Sequence, residues 1–271
     1  MATEIPSDID NLLDQSMKRK LFDTVAVGKA TYYFIDQYDD EGGEPVIIRK
    51  VPGEGPKVVD DILAGDDTSG GASEATFSPE LQQRLKAIRG SEDRDSNDGA
   101  AGGAALLSQA ELNKRLRKQA IKCADRNDPD HLSSRNAPGT DHGNLACAWA
   151  VNRVTKMALG REIGGGLSTA SMVVVLREKH KKADGIVSGC VIISPTVNLP
   201  NGRRNIGHVG IVGEVDEGDK DRTKIYSNSS SAAEFQQNKS LKSWREKYKD
   251  EKGLTVEFYE LDPARFPTAG A

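Results

Sequence analysis

Two hydrophobic periods follow one another along this chain instead of interleaving. Between Leu106 and His180 apolar residues recur at helical spacing, and from Gly189 onward they come in short runs of β-branched and aromatic residues. The runs are Gly189-Cys190-Val191-Ile192-Ile193-Ser194, Ile206 to Val212, Lys224-Ile225-Tyr226-Ser227-Asn228 and Thr255-Val256-Glu257-Phe258-Tyr259-Glu260, separated by Gly, Asn and Asp turns. Helices that precede strands, rather than alternating with them, argue for an α+β fold with helices packed on one face of an antiparallel sheet.

The helical part has readable limits. Leu106, Leu107, Leu112, Leu116 and Ile121 mark one helix, whose basic residues from Lys114 to Lys118 read as a solvated face. After a polar loop from Asp125 to His142, a second helix carries Leu145, Trp149, Val151, Val154, Met157 and Ala158 and stops at Gly160. A third follows the Gly164-Gly165-Gly166 turn, with Ser168 or Thr169 as its cap and Met172 to His180 as its body. That glycine turn lacks the spacing and the lysine of a phosphate loop.

Upstream, Ile9, Leu12, Leu13 and Met17 give a weak helical pattern, and Thr24 to Val27, Thr31 to Ile35 and Pro45 to Lys50 read as strands. Polar residues without periodicity follow, apart from a helical stretch at Pro79 to Ile88. The expected organisation is a small β unit over residues 1–60, a flexible polar linker over 61–104 and the α+β domain over 105–271. Residues 1–60 suggest a docking module, a piece of a particle or a pro-segment covering a cleft, and no motif in them assigns a chemistry.

Composition narrows the function. The chain has 271 residues, with 37 basic against 41 acidic side chains and a net charge of −4. There is no basic stretch interleaved with aromatics, so nucleic acid is not an expected partner. The 3 cysteines are odd in number, and none has CxxC or paired Cys/His spacing; neither a disulfide framework nor a bound metal is expected, and no cofactor. The N-terminus is acidic and lacks the pattern of a secretory signal, and no apolar run is long enough to span a membrane. The expected location is the cytoplasm of the producing cell, with delivery outside left to another route.

The chemistry-bearing residue is Cys147, in Gly143-Asn144-Leu145-Ala146-Cys147-Ala148-Trp149-Ala150-Val151, where a turn opens into a helix. With Asn144 as N-cap, the thiol lies in the first turn, beside unsatisfied N–H groups and the positive end of the helix dipole. That setting favours thiolate over thiol and offers donors to an oxyanion. A cysteine among Ala, Trp and Val is equally a common core residue. His208 lies in Gly207-His208-Val209-Gly210-Ile211, where flanking glycines leave room for a substrate backbone; it, too, reads either as an imidazole base or as a buried polar group. Asp141-His142 would line a groove or hold a metal, but reads more simply as solvated loop, and His131 and His180 are expected to face water. Cys190 reads as a small strand residue.

In order and spacing, the cysteine at a helix start, the further helix, the Gly189 strand and the Gly-His-Val-Gly-Ile strand resemble the papain-like hydrolases of the NlpC/P60 and CHAP superfamily. The run from Cys147 to Val151 is more similar to the CHAP branch. The resemblance covers about residues 140 to 262. It implies a papain-like fold and a cysteine amidase or peptidase cleaving an amide bond of bacterial peptidoglycan, with Cys147 as nucleophile and His208 as base. It also implies a third polar group that holds the imidazole, for which Asn228 or a neighbour matches by position, although Asn and Ser are ordinary strand-end residues. The chain departs from the NlpC/P60 pattern at Ala146, Ala148 and Trp149 around the nucleophile, and at Cys190 where an acidic residue is usual.

The implied partners are peptidoglycan or a peptide substrate and, if the chain is an antibacterial effector or phage-related, a delivery apparatus and an immunity protein. Two other readings stay open: a protein-directed cysteine protease or deamidase toxin, and a non-catalytic binding protein with the same fold.

Overall fold

A computed structural model describes residues 4–40, 42–59, 77–89, 106–199 and 204–266. The chain is a mixed α+β protein whose two main sheets are antiparallel throughout.

The N-terminal unit is a four-stranded meander of β1 (Lys18–Val27), β2 (Ala30–Tyr38), β3 (Gly43–Lys50) and β4 (Lys57–Val58) in sequential order. Side chains alternate across a sheet, and both faces are used here. Tyr32, Phe34 and Ile47 point one way, while Ile35, Val46 and Ile48 form a second cluster with Ile9 and Leu13. The expected helix over the first residues shrinks to α1 (Ser7–Asp10), because turns follow at once and the chain from Lys18 onward pairs with β2.

The Tyr32 face is covered by α2 (Pro79–Arg89), through Leu81, Leu85 and Ile88. This corrects the linker assignment: residues 77–89 belong to the N-terminal core, since burying a leucine contributes about 1.5–3 kcal/mol and Leu81 and Leu85 are fully buried. The rest of the span 61–104 lies outside the described residues.

The second unit holds α3 (Gln109–Ala124), α4 (Cys147–Leu159), α5 (Thr169–Lys179) and a six-stranded sheet. Its strands are β5 (Lys181–Lys182), β6 (Val191–Ser194), β9 (His208–Val212), β10 (Lys224–Ser229), β11 (Glu234–Ser240) and β12 (Glu257–Glu260), in the spatial order β11-β10-β9-β6-β12-β5. A separate ribbon pairs β7 (Val197–Asn198) with β8 (Arg204–Asn205). Leu112 and Leu116 of α3 and Val151 and Val154 of α4 pack on Val191, Ile193, Val209, Ile211 and Phe235. Ser108 caps α3 and Ser168 caps α5, each accepting a backbone N–H from three residues on.

Contrary to the sequence expectation, the opposite sheet face is also covered. The helix α6 (Leu241–Trp244) runs into a π-helical stretch, Arg245–Glu251, and lays Leu241, Trp244 and Tyr248 over Cys190, Ile192, Val212 and Ile225. Wide π turns are rare and concentrate at functional sites. Among the described residues no helix is long and apolar enough to cross a membrane.

Glu257 ties α5 to the sheet. Its carboxylate accepts from Arg177 Nη2 at 2.5 Å, from Tyr259 Oη at 2.5 Å and from Thr255 Oγ1 at 3.0 Å. Burial favours the neutral acid, but these donors outweigh it and hold the pKa down to about 2. Because the folded pKa lies below the unfolded value of 4.5, the contribution to stability is complete above pH 4.5 and lost as pH falls towards 2. Glu257→Gln is therefore expected to flatten the acid limb of a melting-temperature profile between those values, and a limb as steep as that of the native chain would count against the assignment.

Candidate functional site

A strained turn delivers the cysteine. Asp141, His142 and Gly143 all have left-handed backbone, at φ of 45°, 57° and 96°, a conformation that costs a non-glycine residue energy unless its surroundings impose it. Thr140 imposes it from within: its carbonyl accepts from Leu145 N–H at 2.8 Å and its hydroxyl donates to Ala137 O at 2.8 Å. From outside, Lys20 Nζ of β1 reaches Asp141 Oδ1 at 2.5 Å, and Asn144 Nδ2 donates to Asp141 Oδ2 at 3.2 Å. Asn144 is thus spent on the turn. The N-cap position falls to Ala146, and Cys147, expected as the third helical residue, is the first residue of α4.

The end of β10 fixes the same turn. Asn228 Nδ2 donates to Gly143 O at 3.1 Å, and Ser230 Oγ donates to Asn144 O at 2.9 Å. Asn228 pairs in register with Phe235, which lies in the core cluster containing Cys147, so its side chain is on the α4 face of the sheet. Asn228 therefore meets the cysteine turn on the α4 face of the sheet.

His208 opens β9 opposite Ser194. Along β9, Val209 and Ile211 point to α4, and Val212 points to the other face. His208 shares the face of Val212: its ring lies 5.5 Å from Tyr248 and nearly parallel to it, and 5.4 Å from Trp244. Trp244 Nε1 in turn donates to Ser194 Oγ at 3.0 Å. No hydrogen bond joins the imidazole to the Cys147 thiol. The thiol meets the backbone of that strand instead, where the N–H of Val209 lies close enough to favour thiolate, as do those of Ala148 and Cys147 itself.

Cys147, His208 and Asn228 each have 0% exposure. Burial, followed by the negative charge of Glu44, pushes the Cys147 thiol up to about 12, overriding the three N–H groups. The first-turn position was expected to lower this pKa, but as folded the thiol is protonated. The reason is that desolvation of a sulfur anion exceeds what a helix end supplies.

Glu44 is one of several site residues that sequence reasoning missed. From β3 it accepts from Thr169 N–H at 2.6 Å and from Thr169 Oγ1, and it lies 3.9 Å from Arg204. Thr169 also meets Thr196, whose hydroxyl accepts from Gly207 N–H at 2.7 Å, just before His208. Trp244 and Tyr248 were likewise missed, although Leu241, Trp244 and Tyr248 recur at intervals of three and four that mark a helical face.

The remaining candidates resolve plainly. Asp141 is ion-paired with Lys20 and His142 is exposed; among the described residues no group of three or more His, Cys, Asp or Glu is placed to hold a metal. His131 and His180 are half-buried and do not simply face water. His131 lies 3.9 Å from Glu234, and His180 stacks on Phe266 and accepts from Asp262 N–H at 3.1 Å, burial bringing its pKa down to about 4. Asn152 of α4 wraps the Gly164 to Gly166 turn, donating to the carbonyls of Gly164 and Gly166 and accepting from the N–H groups of Ile163 and Gly164. Cys190 is a buried strand residue against Trp244 and its neighbours.

Comparisons with protein-family models, with curated proteins and with solved structures found no match for this chain.

Proposed function

We propose that the chain is a papain-like cysteine hydrolase of the NlpC/P60 and CHAP kind, an amidase or peptidase acting on bacterial peptidoglycan, seen here in a closed state. The observation that carries this reading is the setting of Cys147. It is the first residue of a 13-residue helix, and the N–H groups of its own first turn and of Val209, the residue after His208, act on the thiol to lower its pKa. Donors arranged around one sulfur suit both a thiolate and the oxyanion formed when that sulfur adds to a carbonyl.

In the reaction, His208 takes the thiol proton, which requires the start of β9 to re-pair so that the imidazole comes to the α4 face, and Cys147 sulfur adds to the amide carbon. Collapse of the tetrahedral species expels the amine, protonated by the imidazolium, and leaves a thioester that water hydrolyses. Asn228 acts as a positioning residue, through the turn that carries the nucleophile. One specific observation favours the rival reading of a binding protein without catalysis: the thiol is buried and neutral, and the imidazole is turned away.

Purified protein and its Cys147→Ala variant, incubated with bacterial sacculi and with a general protein substrate, separate the readings by mass spectrometry of the products. Cysteine-dependent release of amide fragments from sacculi is the expected result. Cleavage of the protein alone would select a protein-directed toxin, and identical products from both chains would leave a binding protein.

A further inference from the structure

The β2–β3 connection of the N-terminal unit reaches across to this site. The backbone of Gly42 runs so close to His208 that a Cβ there would stand 2.7 Å from Nδ1 and would have to displace the imidazole. On one side of it, Asp39 Oδ2 lies 3.2 Å from Lys247 Nζ, within the π-helical stretch beside Tyr248, and 3.8 Å from Lys252 Nζ, just after that stretch. Asp39 Oδ1 also accepts from Gly42 N–H at 2.9 Å, and Asp40 O accepts from Ser231 N–H at 3.0 Å. On the other side, Glu44 is anchored on Thr169 and Arg204. The same short segment therefore touches the His208 side and sets the charge beside Cys147.

The anchors of Asp39, Asp40 and Glu44 are polar, and although Leu167 and Trp149 of the second unit join the Tyr32 cluster, most apolar burial of the N-terminal unit is internal, between its own sheet, α1 and α2. Interfaces of that composition let units move relative to one another. The ion pairs of Asp39 are part-exposed, with side-chain exposures of 24% for Asp39 and 22% for Lys247, so solvent reaches them and screens them in part.

Resting on the hydrolase reading above, we propose that Asp39, Gly42 and Glu44 form an intramolecular plug that keeps Cys147 and His208 covered, and that displacement of the plug is the step that exposes them. The occupant is a segment of the chain itself, so latency is built into the protein without a separate inhibitor.

The test is the alkylation rate of each cysteine by iodoacetamide in the full chain, read by mass spectrometry. Two variants loosen the plug from different partners: Glu44→Gln, and the double substitution Lys247→Ala with Lys252→Ala. In the native chain Cys147 is expected to react as slowly as Cys123 and Cys190. In each variant Cys147 is expected to react about tenfold faster or more, through local opening, with the other two unchanged. An unchanged Cys147 in both variants overturns the proposal, as does a rise at all three cysteines together in both. Cleavage of sacculi is scored in parallel: selective labelling without cleavage sustains the plug and removes the hydrolase reading, while cleavage by native chain and variants at equal rates removes the plug alone.

Discussion

Replacing Trp244 by alanine is expected to cost about 3–5 kcal/mol of stability, the range for emptying a buried large aromatic site. The indole is fully buried, 4.9 Å from the Tyr248 ring and 5.4 Å from the His208 ring, with its Nε1 bonded to Ser194. Truncation removes the wall against which His208 is held and leaves the Ser194 hydroxyl without its donor. The fall in melting temperature should be about 6–20 °C, at the ~2–4 °C per kcal/mol typical of a chain somewhat smaller than this one. Trp244→Phe keeps most of the ring and loses the hydrogen bond, so about 1–3 kcal/mol is expected. Thermal melts of both variants check this, and a Trp244→Ala loss below about 1 kcal/mol would mean that the 241–251 segment is not the second cover of the sheet.

Asp36 sets the second large effect. It is 1% exposed and ion-paired with Arg84 of α2, yet burial outweighs the attraction of Arg84, with the charge of Asp141 adding to it, and the carboxyl is pushed up to about 7. The folded pKa lies above the unfolded value of 3.8, so the folded state holds this proton more firmly. Stability is greatest below that lower value and falls as pH rises towards 7, by about 4 kcal/mol at most at 1.36 kcal/mol per pH unit. Asp36→Asn should remove that slope. Denaturant midpoints of the two chains across this window decide it: parallel curves would mean that Arg84 keeps Asp36 ionised throughout. The sign is opposite to that of Glu257, whose donors win over burial, and the windows meet only near pH 4, between 3.8 and 4.5.

The sequence made some parts of this structure plain and concealed others for identifiable reasons. The strands at 31–35, 45–50 and 191–194 are legible because β-branched and aromatic residues fill them on both faces. β11 is not, because Glu-Phe-Gln-Gln-Asn-Lys-Ser has one apolar side chain, Phe235, and the strand exists through its pairing with β10. Leu81, Leu85 and Ile88 announce a helix, but nothing local says that a sheet 40 residues upstream needs their face; that partnership turned an expected linker into core. For the site, alternation along Gly207-His208-Val209-Gly210-Ile211 shows that His208 and Val209 point apart. It does not show which of them faces α4, because that depends on packing at the other end of the sheet. The contribution of Glu44, more than 100 residues before Cys147, left no mark in the local pattern.

The three thiols share one condition: burial holds Cys123 at about 11 and Cys147 and Cys190 at about 12. At neutral pH only ~10⁻⁴ or less of each is thiolate, the form that attacks peroxide and disulfides. In the fold described here all three thiols are therefore expected to resist oxidation and disulfide exchange whatever the redox state of the surroundings, so that any sulfur chemistry of Cys147 depends on first uncovering it.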